Sequence, residues 1–191
     1  MRILVRASVV LAALSTVLVV SPLVSPAQAA PASLTSTYDC ESSFGGGSTK
    51  VGVKIDLPSR VREGATLAAR PVAFTIRVPE ALVDVMRQYG VESLEGSSDD
   101  ATYRIGKRTL DVDDLVLPRT DVPASGPMVL RGKGTAAAYT AAKAGTFAVR
   151  IPQAFTATVV GRTSSGSASI PLSCELGAKA PSKITTLTVT G

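Results

Sequence analysis

The chain has 191 residues, 45% of them hydrophobic and 18% charged, with 20 Lys and Arg against 15 Asp and Glu. It contains no His, no Trp and only two Cys. The lack of His excludes the usual general base and the commonest metal ligand, and two Cys are too few for the usual transition-metal sites. The small excess of positive charge is not the footprint of a nucleic-acid-binding protein.

The first 29 residues have the three parts of a secretory signal peptide. Arginines at positions 2 and 6 form a positive region, residues 7–20 are uncharged and mostly apolar, and Ala-Gln-Ala at 27–29 supplies the small residues that signal peptidase accepts. We expect cleavage after Ala29, with Ala30 as the alternative. A membrane anchor is disfavoured because a spanning helix needs roughly 20 apolar residues. The sequence therefore predicts a secreted, extracellular or cell-wall-associated protein with no transmembrane segment after cleavage.

Most of the mature chain alternates between apolar and polar residues, which is typical of half-buried strands. After a predicted linker at 30–36, a first strand is expected at 37–41 and a flexible Gly-rich loop at 42–48. Alternation is clearest at 51–57, which Pro58 ends, and at 72–78. The further predicted strands are 91–94, 101–105, 115–117, 128–131, 145–151, 155–160 and 169–174.

One segment departs from the alternation that is typical of strands and shows the spacing that is typical of a helix. Pro79 suits the first turn of a helix, and Gly90 suits its C-terminal stop. Between them the apolar residues fall on one helical face, which predicts a helix at about 79–89 with Leu82, Met86 and Tyr89 buried.

Many short strands, dense turn signals and one helix predict a mainly β fold. The expected architecture is a two-sheet antiparallel sandwich of the immunoglobulin-like kind, formed by residues 37–176. Residues 177–191 are expected to be a C-terminal tail that remains a linker or adds a last strand. Pro171 favours an edge position for its strand.

The two cysteines, Cys40 and Cys174, both lie in the predicted mature part, near its two ends. In an oxidising compartment an even pair is most simply one disulfide, which would enclose nearly the whole domain. Two free or intermolecular thiols are the alternative.

Ordered blocks of residues carry a family resemblance through nearly all of the mature chain. They are Tyr38-Asp39-Cys40, the stretch from Val53 through the predicted helix to Gly96, Val122–Gly126, Gly132 with Gly134-Thr135 and Ala144-Gly145-Thr146, and Pro171–Cys174. In these blocks the chain resembles a family of secreted actinobacterial proteins, the domain of unknown function 6801. The resemblance implies a secreted, immunoglobulin-like domain with one disulfide, and it brings no catalytic residues.

The acidic cluster of Asp111, Asp113 and Asp114 is the main candidate for a metal site. A Ca²⁺ loop would add a Gly turn and a distal Glu, and neither is present, so we expect a solvated loop, with a weak Ca²⁺ site as the alternative. Glu92 and Glu95 are candidate carboxylates for a hydrolase, but nothing in the sequence places any two carboxylates at the defined separation that such an enzyme needs. The sequence therefore assigns no catalytic, cofactor-binding or metal-binding residue.

Three functions remain open at the level of sequence. The favoured one is a secreted, non-catalytic module that binds an extracellular protein or a cell-wall component and needs no cofactor. The second is a secreted hydrolase built on carboxylates or a Ser–Lys pair. The third is an inhibitor or signalling ligand that acts through an exposed loop at 121–127. The favoured function rests on chemistry, because neutral-pH catalysis usually needs a group titrating near 7, an activated nucleophile or a metal.

Overall fold

Apolar and polar residues alternate along most of this chain, and the alternating segments form strands. The computed structural model describes residues 29–43 and 45–191; residues 1–28 of the expected signal peptide lie outside this part. The elements are β1 (Ala29–Ser42), β2 (Gly45–Pro58), β3 (Arg60–Arg62), β4 (Thr66–Leu67), β5 (Arg70–Val78), α1 (Glu80–Gln88), β6 (Val91–Ser98), β7 (Thr102–Ile105), β8 (Arg108–Asp121), β9 (Met128–Ala136), β10 (Tyr139–Thr140), β11 (Gly145–Arg150), β12 (Ala154–Thr163), β13 (Gly166–Leu176) and β14 (Lys183–Thr190).

Eight antiparallel strands form a sheet that closes on itself. The order around the barrel is β1, β2, β5, β9, β8, β6, β12, β13 and back to β1. The expected immunoglobulin-like sandwich is therefore wrong. Alternation specifies that a strand buries one face, but it does not specify whether the two outer edges of the sheet pair with each other.

A second group of strands branches from β8. The first half of β8 pairs with β7, and β11, β14 and the short parallel strand β3 follow in order. We call β7, β11, β14 and β3 the side sheet. Its inward residues pack against the barrel strands in one buried cluster, where Ile55 and Val72 of the barrel meet Tyr103, Val149 and Leu187 of the side sheet.

The barrel closes at a short seam between β1 and β13. Only the four residues 38–41 of β1 have register partners on β13, and Cys40 lies directly opposite Cys174. The two cysteines form a disulfide, as the sequence predicted. Beside it, Tyr38 is almost fully buried, lies edge-on to Phe155 at a centroid distance of 5.1 Å, and donates a hydrogen bond to a backbone oxygen at 2.8 Å.

Helix α1 forms where the sequence predicts it, but its buried side is different. Val83 is completely buried among residues from β5, β6, β8 and β9, and Met86 packs partly against the same cluster. Leu82 and Tyr89, expected to be buried, are 49% and 79% exposed. The helix is rotated relative to the prediction because the end of the barrel accommodates Val83. The helical face predicted from the sequence places Val83 only at its margin.

Several predicted loops belong to strands. The linker expected at 30–36 is part of β1, which pairs with β2 along its whole length. The acidic segment 111–114 lies within β8, at a register shift after Asp113. Gly45 already begins β2, inside the loop predicted at 42–48. The C-terminal tail adds β14 to the side sheet.

Removing the disulfide tests the role of the seam. We expect the double variant Cys40→Ala/Cys174→Ala to lose about 2–5 kcal/mol of unfolding free energy, because a bond across a sequence separation of 134 residues restricts the unfolded chain strongly. Urea titration of the oxidised, disulfide-bonded protein measures the loss. The wild type under reductant should match the variant, and a loss below about 0.5 kcal/mol would contradict the role given to the bond.

A matched pair of substitutions tests the orientation of α1. We expect Val83→Ala to cost about 2–3 kcal/mol, because it removes two methyl groups from a fully buried site, and Leu82→Ala to cost less than about 0.5 kcal/mol, because Leu82 faces solvent. Thermal and urea unfolding give both values. The reverse ranking would mean that the helix is turned the other way.

Candidate functional site

The acidic cluster forms the rim of an open depression. Asp111, Asp113 and Asp114 line it together with Ser98 and Asp99. Within residues 29–43 and 45–191, no three His, Cys, Asp or Glu side chains are grouped so that they could hold a metal ion. The depression is therefore polar and acidic, without an assembled set of metal ligands among those residues.

Of the two candidate hydrolase carboxylates, Glu92 is exposed on β6, and Glu95 has a partner that is unrelated to hydrolysis. Glu95 forms an ion pair with Arg162 on the neighbouring strand β12. Ser48 and Lys50 both lie on the outer side of β2, but the Ser48 hydroxyl donates its hydrogen bond to Asp39. The Ser48 hydroxyl is therefore bonded to a carboxylate, and no hydrogen bond joins this hydroxyl to the amine of Lys50.

Asp100 is the carboxylate with the clearest set of hydrogen bonds. It accepts bonds from the backbone N–H and the hydroxyl of Thr156, both at 2.8 Å, and from Ser98 Oγ at 3.2 Å. Burial acts to raise the pKa of Asp100, but the bonds from Thr156 and Ser98 together outweigh it and lower the pKa. Asp100 thus holds the start of β12 against the turn that follows β6.

The end of the barrel that carries α1 exposes apolar side chains. Leu82, Val85 and Tyr89 are 49%, 42% and 79% exposed. The predicted interaction loop at 121–127 lies beside the helix, because the Arg87 guanidinium donates a 2.9 Å hydrogen bond to the Pro123 carbonyl. Helix and loop therefore form one anchored surface.

A cationic surface covers the outside of three adjacent barrel strands, β2, β5 and β9. We call it the cationic wall and define it by five exposed side chains: Lys50, Lys54, Arg77, Arg131 and Lys133. They point outward because the residues between them, such as Val51 and Leu130, point into the core.

Strand register places these cations around a central depression that is formed by small side chains. Lys50 lies opposite Arg77, which lies opposite an exposed Val129; one end of this row lines a shallow depression of about 240 Å³. In the middle of the wall, Gly52 lies opposite Thr75, and a Cβ on Gly52 would approach Thr75 Oγ1 to 2.6 Å. Small side chains thus form the floor, and long cationic ones surround it.

No carboxylate occupies an outward position between these cations, although Asp56 follows Lys54 on the outer side of β2 and Asp113 on β8 lies diagonal to Lys133. The outward residues are Lys50, Gly52 and Lys54 on β2, Ala73, Thr75 and Arg77 on β5, and Val129, Arg131 and Lys133 on β9. The ion pairs found in the described part of the chain, Arg87–Asp84 and Arg162–Glu95, lie elsewhere. Sequence reasoning missed the wall because it weighed only net charge; the signal was available as cations at the polar positions of three alternating segments.

Comparison with known proteins identifies the family. Residues 37–190 match the Family of unknown function (DUF6801). The chain belongs to this family. The matched region runs from the middle of β1 to the end of β14, so it contains the side sheet, the cationic wall and all of the barrel except the first half of β1. No curated protein and no solved structure shows a significant match to the chain. In the described part of the chain, no helix has the length and apolar character needed to cross a membrane.

The hydrogen bonds of Asp100 predict a contribution to stability that depends on pH. Because the folded pKa of Asp100 lies below the ordinary Asp value of 3.8, the contribution is present above that value and is lost as the pH falls through the lower folded pKa. We expect Asp100→Asn to lose less stability than the wild type as the pH falls from about 5 to about 2, by a small margin because Asp100 is exposed. Thermal unfolding across pH measures this. Asp99→Asn is the control and should follow the wild type; an unchanged profile for Asp100→Asn would refute the prediction.

Proposed function

We propose that this domain is a secreted, non-catalytic module that binds an anionic polymer of the cell surface through the cationic wall. The observation that carries the proposal is the grouping of five exposed cations on three adjacent strands without a carboxylate among them. Such a grouping creates a local positive potential that attracts and orients a polyanion, although the net charge of the chain is small.

The geometry of the wall suits an extended partner. Neighbouring strands lie about 4.8 Å apart, so Lys54 and Lys133, which are separated by one strand, have backbones about 10 Å apart. A linear polymer with repeating charges can contact several such cations at once over the low floor at Gly52. Exposed single contacts are weak, so affinity would come from their sum.

The chemistry of the chain supports a non-catalytic role. The sequence has no His, and the two cysteines are joined. Glu95 forms an ion pair with Arg162, and Asp100 accepts hydrogen bonds from Thr156. A hydrolase would need an activated group that these partnerships do not provide.

A second candidate is contact with a protein through the α1 surface. The exposed Leu82, Val85 and Tyr89 favour it, because clustered apolar side chains on a helix are typical of protein contacts. Substitution of Leu82 and Tyr89 by Ser should leave polymer binding unchanged and abolish binding to such a partner.

The proposal is tested by calorimetric titration of the cleaved, disulfide-bonded protein with a poly(glycerol phosphate) at low salt. The wall variant Lys50→Gln/Lys54→Gln/Lys133→Gln should bind about 10 to 100 times more weakly, since three exposed contacts contribute about 0.5–1 kcal/mol each, and its binding should depend less on salt.

The matched control is Lys107→Gln/Lys143→Gln/Lys179→Gln, which removes the same charge from exposed positions outside the wall. It should bind within about twofold of the wild type. Equal losses in both variants, or no binding by the wild type, would overturn the wall as the site. Release of polymer fragments that a carboxylate substitution abolishes would overturn the non-catalytic role.

A further inference from the structure

A row of cations crosses the outer side of the side sheet. Arg104 on β7 lies directly opposite Arg150 on β11, and Arg150 lies opposite Lys183 on β14 at a register shift that follows Val149. Arg104 and Arg150 project outward, because their neighbours Tyr103, Ile105 and Val149 are buried in the core. We call Arg104, Arg150 and Lys183 the arginine row.

This arrangement is unfavourable in the absence of a ligand. Like charges directly opposite each other on neighbouring strands destabilise a sheet. Neither described ion pair involves the row, and the other register neighbour of Arg104 is Thr109. In addition, Arg104 Nε is buried and has no hydrogen-bond partner within the described residues. No ion pair among the described residues therefore neutralises the positive charge concentrated here, although Asp111 lies diagonal to Arg104 on the same face of the sheet.

One member of the row is held in place. Arg150 Nη1 donates a 2.7 Å hydrogen bond to Ser182 Oγ, which fixes the guanidinium over the segment before β14. Both arginines are half-buried, so they lose less conformational freedom on binding than fully exposed side chains would. The row is thus partly organised before any anion arrives.

We propose that the arginine row is a binding site for a phosphate group carried by an extracellular ligand. Guanidinium groups donate paired hydrogen bonds to phosphate oxygens, and the row places two of these groups opposite each other on neighbouring strands. A dianion neutralises more of the three positive charges than a single carboxylate does. The ligand would relieve the repulsion along the row, so binding and stabilisation are coupled.

This site is independent of the proposed polymer contact. The inner sides of the barrel strands β2, β5 and β9 and of the side sheet face each other across one core cluster. Their outer sides, which carry the cationic wall and the arginine row, consequently face away from each other. Failure of either proposal leaves the other standing.

The probe is inorganic phosphate at about pH 8, where the dianion predominates, added to the cleaved, disulfide-bonded protein at constant ionic strength. We expect phosphate to raise the melting temperature of the wild type in a saturable manner, and acetate or chloride at equal ionic strength to leave it unchanged. The absence of a phosphate-specific shift would overturn the site, as would an equal shift with acetate.

The decisive variant is Arg104→Gln. Without phosphate it should melt at or above the wild-type temperature, because it removes the repulsion and the unpaired Nε, and its affinity for phosphate should fall about tenfold or more. A purely structural role for Arg104 would instead lower the melting temperature without phosphate. Retention of wild-type phosphate affinity by Arg104→Gln would overturn the proposal.

Two controls complete the experiment. Arg60→Gln removes the same charge from β3, outside the row, and should retain phosphate affinity; a loss equal to that of Arg104→Gln would overturn a local site. Lys183→Gln changes an exposed member of the row and keeps the test valid if Arg104→Gln folds poorly. It too should weaken phosphate binding, and unchanged affinity would remove Lys183 from the site. The cationic-wall variant should bind phosphate as the wild type does.

Discussion

Closure of the sheet between β1 and β13 is the constraint on which the rest of the structure depends. Four residue pairs join these strands and three join β8 and β9, against fourteen between β1 and β2 and ten between β12 and β13; of the two short contacts, only β1–β13 carries a covalent bond. An edge with so few backbone hydrogen bonds would be an easy place for the barrel to open. The Cys40–Cys174 bond lies within those four pairs and holds the two edges in register, so that neither is left as a free template for another chain.

Once the sheet is closed, alternation along a strand decides what faces the core and what faces solvent. The interior is filled by side chains such as Tyr38, Ile55 and Leu187, so the protein offers its outer surfaces for interaction. Backbone pairing fixes those surfaces. The cations of the wall and of the arginine row are therefore neighbours because of strand register, and few local contacts between side chains are needed to hold them there.

Helix α1 shows how far a local pattern determines structure. Its position follows from Pro79 and Gly90, which the sequence makes plain. Its rotation does not follow, because the apolar residues of the helix cover a wider arc than the barrel end can bury. Val83 and Met86 are covered while Leu82 remains exposed, which turns the helix by roughly a fifth of a turn from the expected side.

The sequence by itself determined the strand-rich class, the place of the helix and the pairing of the only two cysteines, because these depend on periodicity, on Pro and Gly, and on counting. It also favoured an edge position for the strand of Pro171, which is wrong, because β13 pairs with both β12 and β1 in the closed barrel; at Pro171 itself the register partner lies on β12. Only the tertiary structure decided that the sheet closes and that Arg104 meets Arg150 or Lys50 meets Arg77. Register between strands distant in the chain is set by packing of the whole core, and no single strand encodes it.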